Sequence, residues 1–149
     1  MNLKETEDVF SIKIELRFRA GHRLLPPYKG KCLNPHGEGY TAIIEFEKKE
    51  LDENGMVFDF GDTKRKIKEW IDANWDHSYI HNSNDEVGEY LKSKGFRTFS
   101  LADTNPTAEN MAFFLYVIIK DEITDKVKRV GIVESFEDSI AYYKEQEIK

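Results

Sequence analysis

Alternation of apolar and polar residues near the start of the chain constrains its fold more than any other feature. Between positions 10 and 20, apolar side chains occupy every second position, and the same period returns between 40 and 47. A period of two residues is typical of a β-strand with one buried face. The stretch from 21 to 39 is rich in proline and glycine. It predicts a long loop that joins the two strands.

The remainder of the chain predicts helices followed by a second pair of strands. The predicted elements are a helix over 62–75, a polar connection over 76–103 with one short helix at 87–93, a helix opened by Asn105-Pro106-Thr107 and running to 119, and strands at 130–136 and 140–143. Strand, strand, helix, helix, strand, strand predicts an α+β fold, with a four-stranded antiparallel sheet and two helices packed on one face. The length of 149 residues fits a single domain over 1–149.

The composition limits the classes of partner that the chain is expected to bind. The net charge of -6 argues against nucleic acid or an anionic membrane as a main partner. The N-terminus is polar and no apolar run reaches the ~20 residues that span a bilayer, so we expect a cytoplasmic protein. A lone cysteine excludes an intrachain disulfide framework. Small sheets gain stability when assembly covers their edges, which favours a homo-oligomer.

Three metal-ligating side chains continue the apolar phases of the two strands. His22 follows Ala20 on the first strand, and Glu38 and His36 precede Tyr40 on the second. If the strands pair, two imidazoles and a carboxylate meet at one edge of the core. This donor set is used for catalytic zinc and for non-haem iron. Ordinary loop histidines beside a solvated glutamate are the alternative, and three ligands in phase favour the metal.

Glu134 breaks the apolar face of the third strand, where Val130, Ile132 and Phe136 share its phase. A carboxylate that faces an apolar layer needs a donor partner. One interpretation is a salt bridge to a nearby Lys or Arg. The other is a ligand anchor that accepts two parallel N–H bonds from an amino-pyrimidine edge. The pattern alone leaves the two interpretations equal.

Cys32 and the pair Asp76-His77 carry weaker signals. Cys32 lies in the Pro/Gly loop, where it fits a structural zinc ligand paired with His36, a reactive thiol or an inert small residue. Asp76 can orient an imidazole for proton transfer, although a plain histidine at a helix C-terminus is the simpler interpretation of His77. His81 has no supporting pattern and is predicted to be a loop residue.

Taken in order, these motifs resemble the 6-pyruvoyl tetrahydropterin synthase and 6-carboxytetrahydropterin synthase family from about Phe18 to Tyr142. The segments that carry the resemblance are Phe18-Arg19-Ala20-Gly21-His22, Cys32-Leu33-Asn34-Pro35-His36-Gly37-Glu38-Gly39-Tyr40, Met56-Val57-Phe58-Asp59-Phe60, Asp76-His77, Pro106-Thr107-Ala108-Glu109-Asn110 and Glu134. Each motif alone is weak, whereas six in order with fitting spacing are specific.

The resemblance implies the tunnelling fold (T-fold), in which such sheets assemble into a barrel, commonly a trimer stacked into a hexamer. It implies 7,8-dihydroneopterin triphosphate as the substrate and a bound Zn²⁺. Triphosphate elimination with side-chain rearrangement gives the pyruvoyl product. Side-chain cleavage with loss of acetaldehyde gives 6-carboxy-5,6,7,8-tetrahydropterin, which is used for queuosine and other deazapurines. The resemblance is closest to the second enzyme.

The resemblance also implies roles for individual residues. The implied metal ligands are His22, His36 and Glu38, the implied catalytic residues are Cys32, Asp76 and His77, and the implied substrate-binding residues are Glu134 and Thr107. Glu38 departs from the family, which has a second histidine at this position. Glutamate is a competent zinc ligand, but its charge weakens the Lewis acid and admits another divalent metal. The alternatives are therefore a 6-pyruvoyl tetrahydropterin synthase, which eliminates triphosphate, and a non-catalytic pterin- or purine-binding T-fold protein with an altered metal site.

Overall fold

The structure, a computed structural model, describes residues 8–134 and 139–146. In this part of the chain the elements are β1 (Phe10–His22), β2 (His36–Lys48), α1 (Gly61–Asn74), β3 (Tyr79–His81), α2 (Glu86–Ser93), β4 (Thr98–Ser100), α3 (Ala108–Ile118), β5 (Val127–Glu134) and β6 (Ile140–Tyr143). A 3₁₀ turn at Lys31–Leu33, called the Cys32 turn below, lies between β1 and β2. A π-helical turn at Ile119–Ile123 extends α3.

The six strands form one sheet in the order β4-β3-β1-β2-β5-β6. The predicted pairing of the first two strands is present: β1 and β2 run antiparallel without a shift, from Phe10 opposite Lys48 to His22 opposite His36. β5 and β6 continue the antiparallel half of the sheet on the other side of β2. These four strands are the four that the sequence predicts.

The predicted count of four strands is too low, although the α+β class is correct, and the short helix predicted at 87–93 is present as α2. Strands β3 and β4 are short and parallel, and together with α2 they occupy the region predicted as a polar connection. Strands of three residues are too short to display a period, so their sequence gives no signal. The predicted strand residue Phe136 and the turn at 137–138 lie outside the described residues.

The apolar phases of β1 and β2 form one side of the core. Ile14, Leu16 and Phe18 are buried on β1, and opposite them Ile44, Ala42 and Tyr40 are buried on β2. The apolar faces of α1 and α3 cover this side of the sheet, with buried side chains at Ile67, Ile71, Met111 and Leu115. Each fully buried aliphatic side chain contributes about 1.5–3 kcal/mol. The same packing sets the position of α3 above the strand ends.

Thr107 caps helix α3, since its side chain accepts a hydrogen bond of 3.2 Å from the backbone N–H of Asn110. Pro106 precedes the cap, and its carbonyl oxygen is directed towards the end of β1, where it meets His22. The start of α3 therefore lies beside the predicted metal ligands. None of the helices within the described ranges is long and apolar enough to cross a bilayer.

Candidate active site

The paired ends of β1 and β2 bring the three predicted metal ligands together. His22 lies opposite His36 in the ladder, and Glu38 lies opposite Ala20. One ligand atom from each of His22, His36 and Glu38 falls within 4.8 Å of the others. His22 is 2% exposed, and the other two side chains are half-buried. Among the described residues this is the one group of three potential ligands at this spacing.

Backbone carbonyls fix the tautomers of both imidazoles. Nδ1 of His22 lies 2.9 Å from the carbonyl oxygen of Pro106, and Nδ1 of His36 lies 2.7 Å from that of Asn34. A carbonyl oxygen only accepts, so each Nδ1 carries the proton and each Nε2 presents a lone pair. The two Nε2 atoms face each other at 3.0 Å, and Nε2 of His36 is 3.2 Å from Oε1 of Glu38. Converging lone pairs and a carboxylate fit a divalent cation.

Burial favours the form of His22 that binds a metal. Desolvation lowers the pKa of His22, and the neighbouring His36 lowers it further, against an opposing effect of the Pro106 carbonyl. The imidazole is therefore held neutral, as a ligand must be. The hydroxyl of Tyr40 lies 3.2 Å from Nδ1 of the same ring. Burial, and then the charges of Glu134 and Glu38, raise the pKa of Tyr40, so this hydroxyl keeps its proton.

Glu134 and Thr107 line one pocket beside the three potential metal ligands His22, His36 and Glu38, which are called the metal-ligating group below. Glu134 is paired with Tyr40 across β5 and β2, and Thr107 lies at the N-terminus of α3. The pocket has a volume of about 290 Å³, and Leu24 and Ile140 also line it. It therefore combines an acceptor carboxylate, a hydroxyl and apolar walls. These are the groups needed to hold a flat heterocycle with N–H donors on its edge.

Cys32 is half-buried in the Cys32 turn, and the thiol is not part of the three-ligand group. The side-chain hydrogen bond with Cys32 is the largest cause of the raised pKa of Tyr28. Because His36 is directed into the group with His22 and Glu38, the arrangement gives no support to a structural zinc held by Cys32 and His36. Sequence reasoning missed Tyr28, although it lies in the same loop four residues before Cys32.

Asp76 holds His77 within the same chain. Oδ2 of Asp76 lies 2.9 Å from Nδ1 of His77, and Oδ1 accepts the backbone N–H of Arg19 over 3.0 Å. The Arg19 bond is the largest cause of the lowered pKa of Asp76, to which His77 also contributes. His77 has a positive φ of 60° and its side chain is 74% exposed. The pair is therefore a carboxylate and an imidazole open to exchange with a substrate or solvent.

The Asp76-His77 pair and the metal-ligating group are linked by a groove at the strand ends. His77 and Glu38 both line it, together with Phe96 and Arg97. The guanidinium of Arg97 donates to the carbonyl oxygens of Asp72 and Asp76 over 2.8 and 3.0 Å, so it satisfies the C-terminus of α1. The positive charge beside the C-terminal carbonyl groups of α1 is therefore that of Arg97 rather than of His77.

His81 was predicted to be a loop residue, and this is wrong. It lies on β3, is 1% exposed, and its Nδ1 is 2.8 Å from the carbonyl oxygen of Asn82. Its ring fills the space beside Gly88, where an added Cβ would approach the ring to 2.3 Å. Sequence reasoning also missed Tyr40 as a neighbour of His22. A hydroxyl on an apolar phase, next in line to two ligands, was the available signal.

Comparisons with known proteins all find similarity to tetrahydropterin synthases. The family profile for 6-pyruvoyl tetrahydropterin synthase matches residues 11–145. The chain is 40% identical to 6-carboxy-5,6,7,8-tetrahydropterin synthase of Rickettsia bellii over 75% of this chain and 78% of that protein. It is 30% identical to the protein of the same name from Aquifex aeolicus, over 92% of this chain and 99% of the relative.

A solved structure of Caenorhabditis elegans 6-pyruvoyl tetrahydropterin synthase superposes with a TM-score of 0.68. The match covers 93% of this chain and 97% of that chain at 24% identity. At this identity the likeness shows the fold, which is the predicted T-fold.

Proposed function

The chain belongs to the 6-pyruvoyl tetrahydropterin synthase family, and from this premise we propose that it converts 7,8-dihydroneopterin triphosphate to 6-carboxy-5,6,7,8-tetrahydropterin. The proposal follows the names of the two curated relatives described above, which are both 6-carboxy-5,6,7,8-tetrahydropterin synthases. The observation that carries it is the adjacency of two sites. A group of three potential metal ligands and a pocket lined by Glu134 both adjoin the buried Tyr40.

The pocket is proposed to bind the pterin ring. Glu134 accepts the parallel N–H donors of the amino-pyrimidine edge, a charge-assisted pair with fixed geometry. Thr107 contributes its hydroxyl at the N-terminus of α3. With the ring held here, the substrate side chain extends towards the end of β1. The pocket and the metal-ligating group then act on different parts of one molecule.

His22, His36 and Glu38 are proposed to hold the metal. When bound, a divalent cation supplies Lewis-acid chemistry that acidifies the hydroxyls of the substrate side chain. Zinc is the proposed metal because two imidazoles and one carboxylate, with an open fourth position, form a catalytic zinc set. The anionic Glu38 reduces the net charge of the site and makes another divalent ion acceptable.

Proton transfer is assigned to Cys32 and to the Asp76-His77 pair. The thiol of Cys32 acts as general base or acid on the substrate side chain. His77 exchanges a proton at Nε2, while Asp76 holds Nδ1 over 2.9 Å and fixes the orientation of the ring. Two separate proton carriers suit a reaction that both removes and returns protons. The proposal includes a cytoplasmic homo-oligomer, a trimer or hexamer, that supplies queuosine or deazapurine biosynthesis.

Product analysis tests the proposal directly. Zinc-loaded protein is incubated with 7,8-dihydroneopterin triphosphate, and the products are identified by mass spectrometry. The expected products are 6-carboxy-5,6,7,8-tetrahydropterin and acetaldehyde, with release of the triphosphate. A product that retains a three-carbon side chain at the pyruvoyl level would reassign the chain to 6-pyruvoyl tetrahydropterin synthesis.

Cys32→Ala is the matched variant for this assay. It should abolish turnover and leave binding of a pterin unchanged, as measured by fluorescence titration, because the ring is held by Glu134 and Thr107. No substrate consumption by the parent protein, under conditions in which the Aquifex aeolicus relative is active, contradicts the enzymatic proposal. Pterin binding without turnover would then support the non-catalytic pterin-binding alternative.

A further inference from the structure

Arg23 lies between the metal ligand His22 and the Cys32 turn. It follows His22 directly at the end of β1. The next residue, Leu24, donates its N–H to the carbonyl oxygen of Cys32 over 2.7 Å. Nη1 of Arg23 lies 3.5 Å from the carbonyl oxygen of Leu33. The segment that follows His22 therefore holds two consecutive residues of the turn that carries the thiol.

On its other side Arg23 contacts a fully buried carboxylate. Nε of Arg23 is 2.9 Å from Oδ1 of Asp85, whose side chain is 0% exposed. This Nε makes no hydrogen bond with any described residue. The contact with Asp85 is therefore held by the attraction between opposite charges. A buried carboxylate requires a cation or several donors. Arg23 supplies the cation, and its guanidinium is consequently confined to one place.

Asp85 is itself held by two donors, one on β3 and one on α2. The Tyr79 hydroxyl donates to Oδ2 over 2.9 Å, and the N–H of Val87 donates to Oδ1 over 3.0 Å, where Asp85 caps α2. Burial and the bond to Asp85 raise the pKa of Tyr79, so its hydroxyl remains a donor. The ring of Tyr79 stacks on that of His81, which fills the space beside Gly88. The anchor of Arg23 is therefore rigid.

We propose that Arg23 and Asp85 form a positioning pair that fixes the Cys32 turn, and with it the thiol, relative to the metal-ligating end of β1. The proposal rests on the function proposed above for Cys32. The pair acts through the backbone of the turn and takes no part in bond making. A short turn without this support samples several positions, and displacement of a reacting group by about 1 Å costs up to a hundredfold in rate.

Three substitutions separate the charge pair from the other contacts. Asp85→Asn keeps the helix cap, since Asn caps as well as Asp, but removes the charge that holds Arg23. Arg23→Gln removes the cation, and Arg23→Lys keeps a charge without the planar guanidinium. Arg65→Gln is the matched control, because Arg65 forms exposed ion pairs with Asp62 and Glu69 on α1.

Each variant is measured for kcat, KM, metal content and the rate of thiol alkylation by iodoacetamide in folded, metal-loaded protein. Cys32 is the one cysteine of the chain, so alkylation reports on this turn alone. For Asp85→Asn and Arg23→Gln we expect kcat to fall about tenfold or more with KM within about twofold. Alkylation should become several-fold faster and metal content should stay unchanged. Arg23→Lys should recover part of both losses, and Arg65→Gln should match the parent.

The double variant Arg23→Gln/Asp85→Asn tests whether the two residues act through each other. If they do, the double variant should be no less active than the less active of the two single variants. A parental kcat and alkylation rate with a lowered melting temperature would show a purely structural pair and overturn the proposal. Loss of metal from the variants would show that the substitutions act by disturbing the metal ligand His22, and this result would also overturn the proposal. If the parent protein consumes no substrate, the proposed function fails, and the alkylation rates still decide the positioning claim.

Discussion

The two histidine sites of this protein use the same side chain in opposite settings. At the metal-ligating group, His22 is buried and its Nδ1 is bonded to a backbone carbonyl. At the groove, His77 is 74% exposed and its Nδ1 is bonded to the carboxylate of Asp76. A carbonyl partner in a buried site favours a neutral ring with a fixed lone pair, whereas a carboxylate partner tolerates the charged ring. The partner of Nδ1 therefore differs between the histidine proposed to bind the metal and the histidine proposed to carry a proton.

The largest expected effect is loss of the metal on changing His22. His22→Ala removes one of two converging lone pairs and leaves a site that cannot hold a divalent ion. We expect metal content, measured by atomic emission, to fall from stoichiometric to background. Activity should fall by about a thousandfold or more, since a bound metal supplies several kcal/mol. Retention of stoichiometric metal by this variant would remove His22 from the ligand set.

His77→Ala should reduce kcat and leave the metal in place, which sharpens the difference between the two sites. Removal of a general acid or base lowers the rate by about 10²–10⁴-fold. Because His77 is outside the three-ligand group, metal content should match the parent. The measurements are steady-state kinetics beside metal analysis on the same preparation. If metal is lost together with activity, the two histidine sites are not functionally distinct.

Tyr40→Phe should have a smaller effect than the two histidine substitutions, and this effect should be confined to metal binding. The hydroxyl of Tyr40 lies 3.2 Å from Nδ1 of His22 and is buried. Loss of a group that orients a ligating imidazole weakens metal binding by about tenfold. Competition with a chromogenic chelator measures this change. Tyr28→Phe is the control, since it alters the Cys32 turn and should leave metal affinity unchanged.

The smallest expected effect is on the stability of the metal-free protein. Burial lowers the pKa of His22, so in acid the unfolded state takes up a proton that the folded state resists. This contribution to stability is fully present above the unfolded pKa of about 6.5 and is lost as the pH falls from there through the lower pKa of the folded state. Urea unfolding at a series of pH values should show this decline. The decline should be shallower in His22→Gln, and an equal slope in both proteins contradicts the prediction.

The alternation in β1 and β2 was sufficient to predict the pairing of His22 with His36, because phase and antiparallel pairing determine which side chains meet. Glu134 could be flagged in the same way, but its shared pocket with Thr107 required the position of α3. The sequence could not predict β3 and β4, whose three-residue strands are placed by tertiary contacts. His81 was misassigned for the same reason, since its burial depends on a glycine seven residues away on α2.

The anchoring of Asp85 was also hidden from the sequence. An acidic residue before a helix predicts an exposed cap, and nothing in the pattern indicates that Arg23, 62 positions earlier, lies against it. Long-range ion pairs have no local period. The residues to which we assign the chemistry could therefore be selected from strand phase and motif order, whereas the pair proposed to position Cys32 became visible only with the fold.

The unshifted ladder of β1 and β2 has a consequence for how this protein can change. Both strands are 13 residues long and pair along their whole length, so the two imidazoles are spaced by the ladder rather than by the loop between them. Deletion of one residue inside β1 would turn His22 to the opposite face of the sheet. Lengthening the loop at a point remote from the Cys32 turn would leave the spacing intact. Insertions should therefore be tolerated in the loop, whereas insertions or deletions within β1 or β2 should disrupt the group of His22, His36 and Glu38.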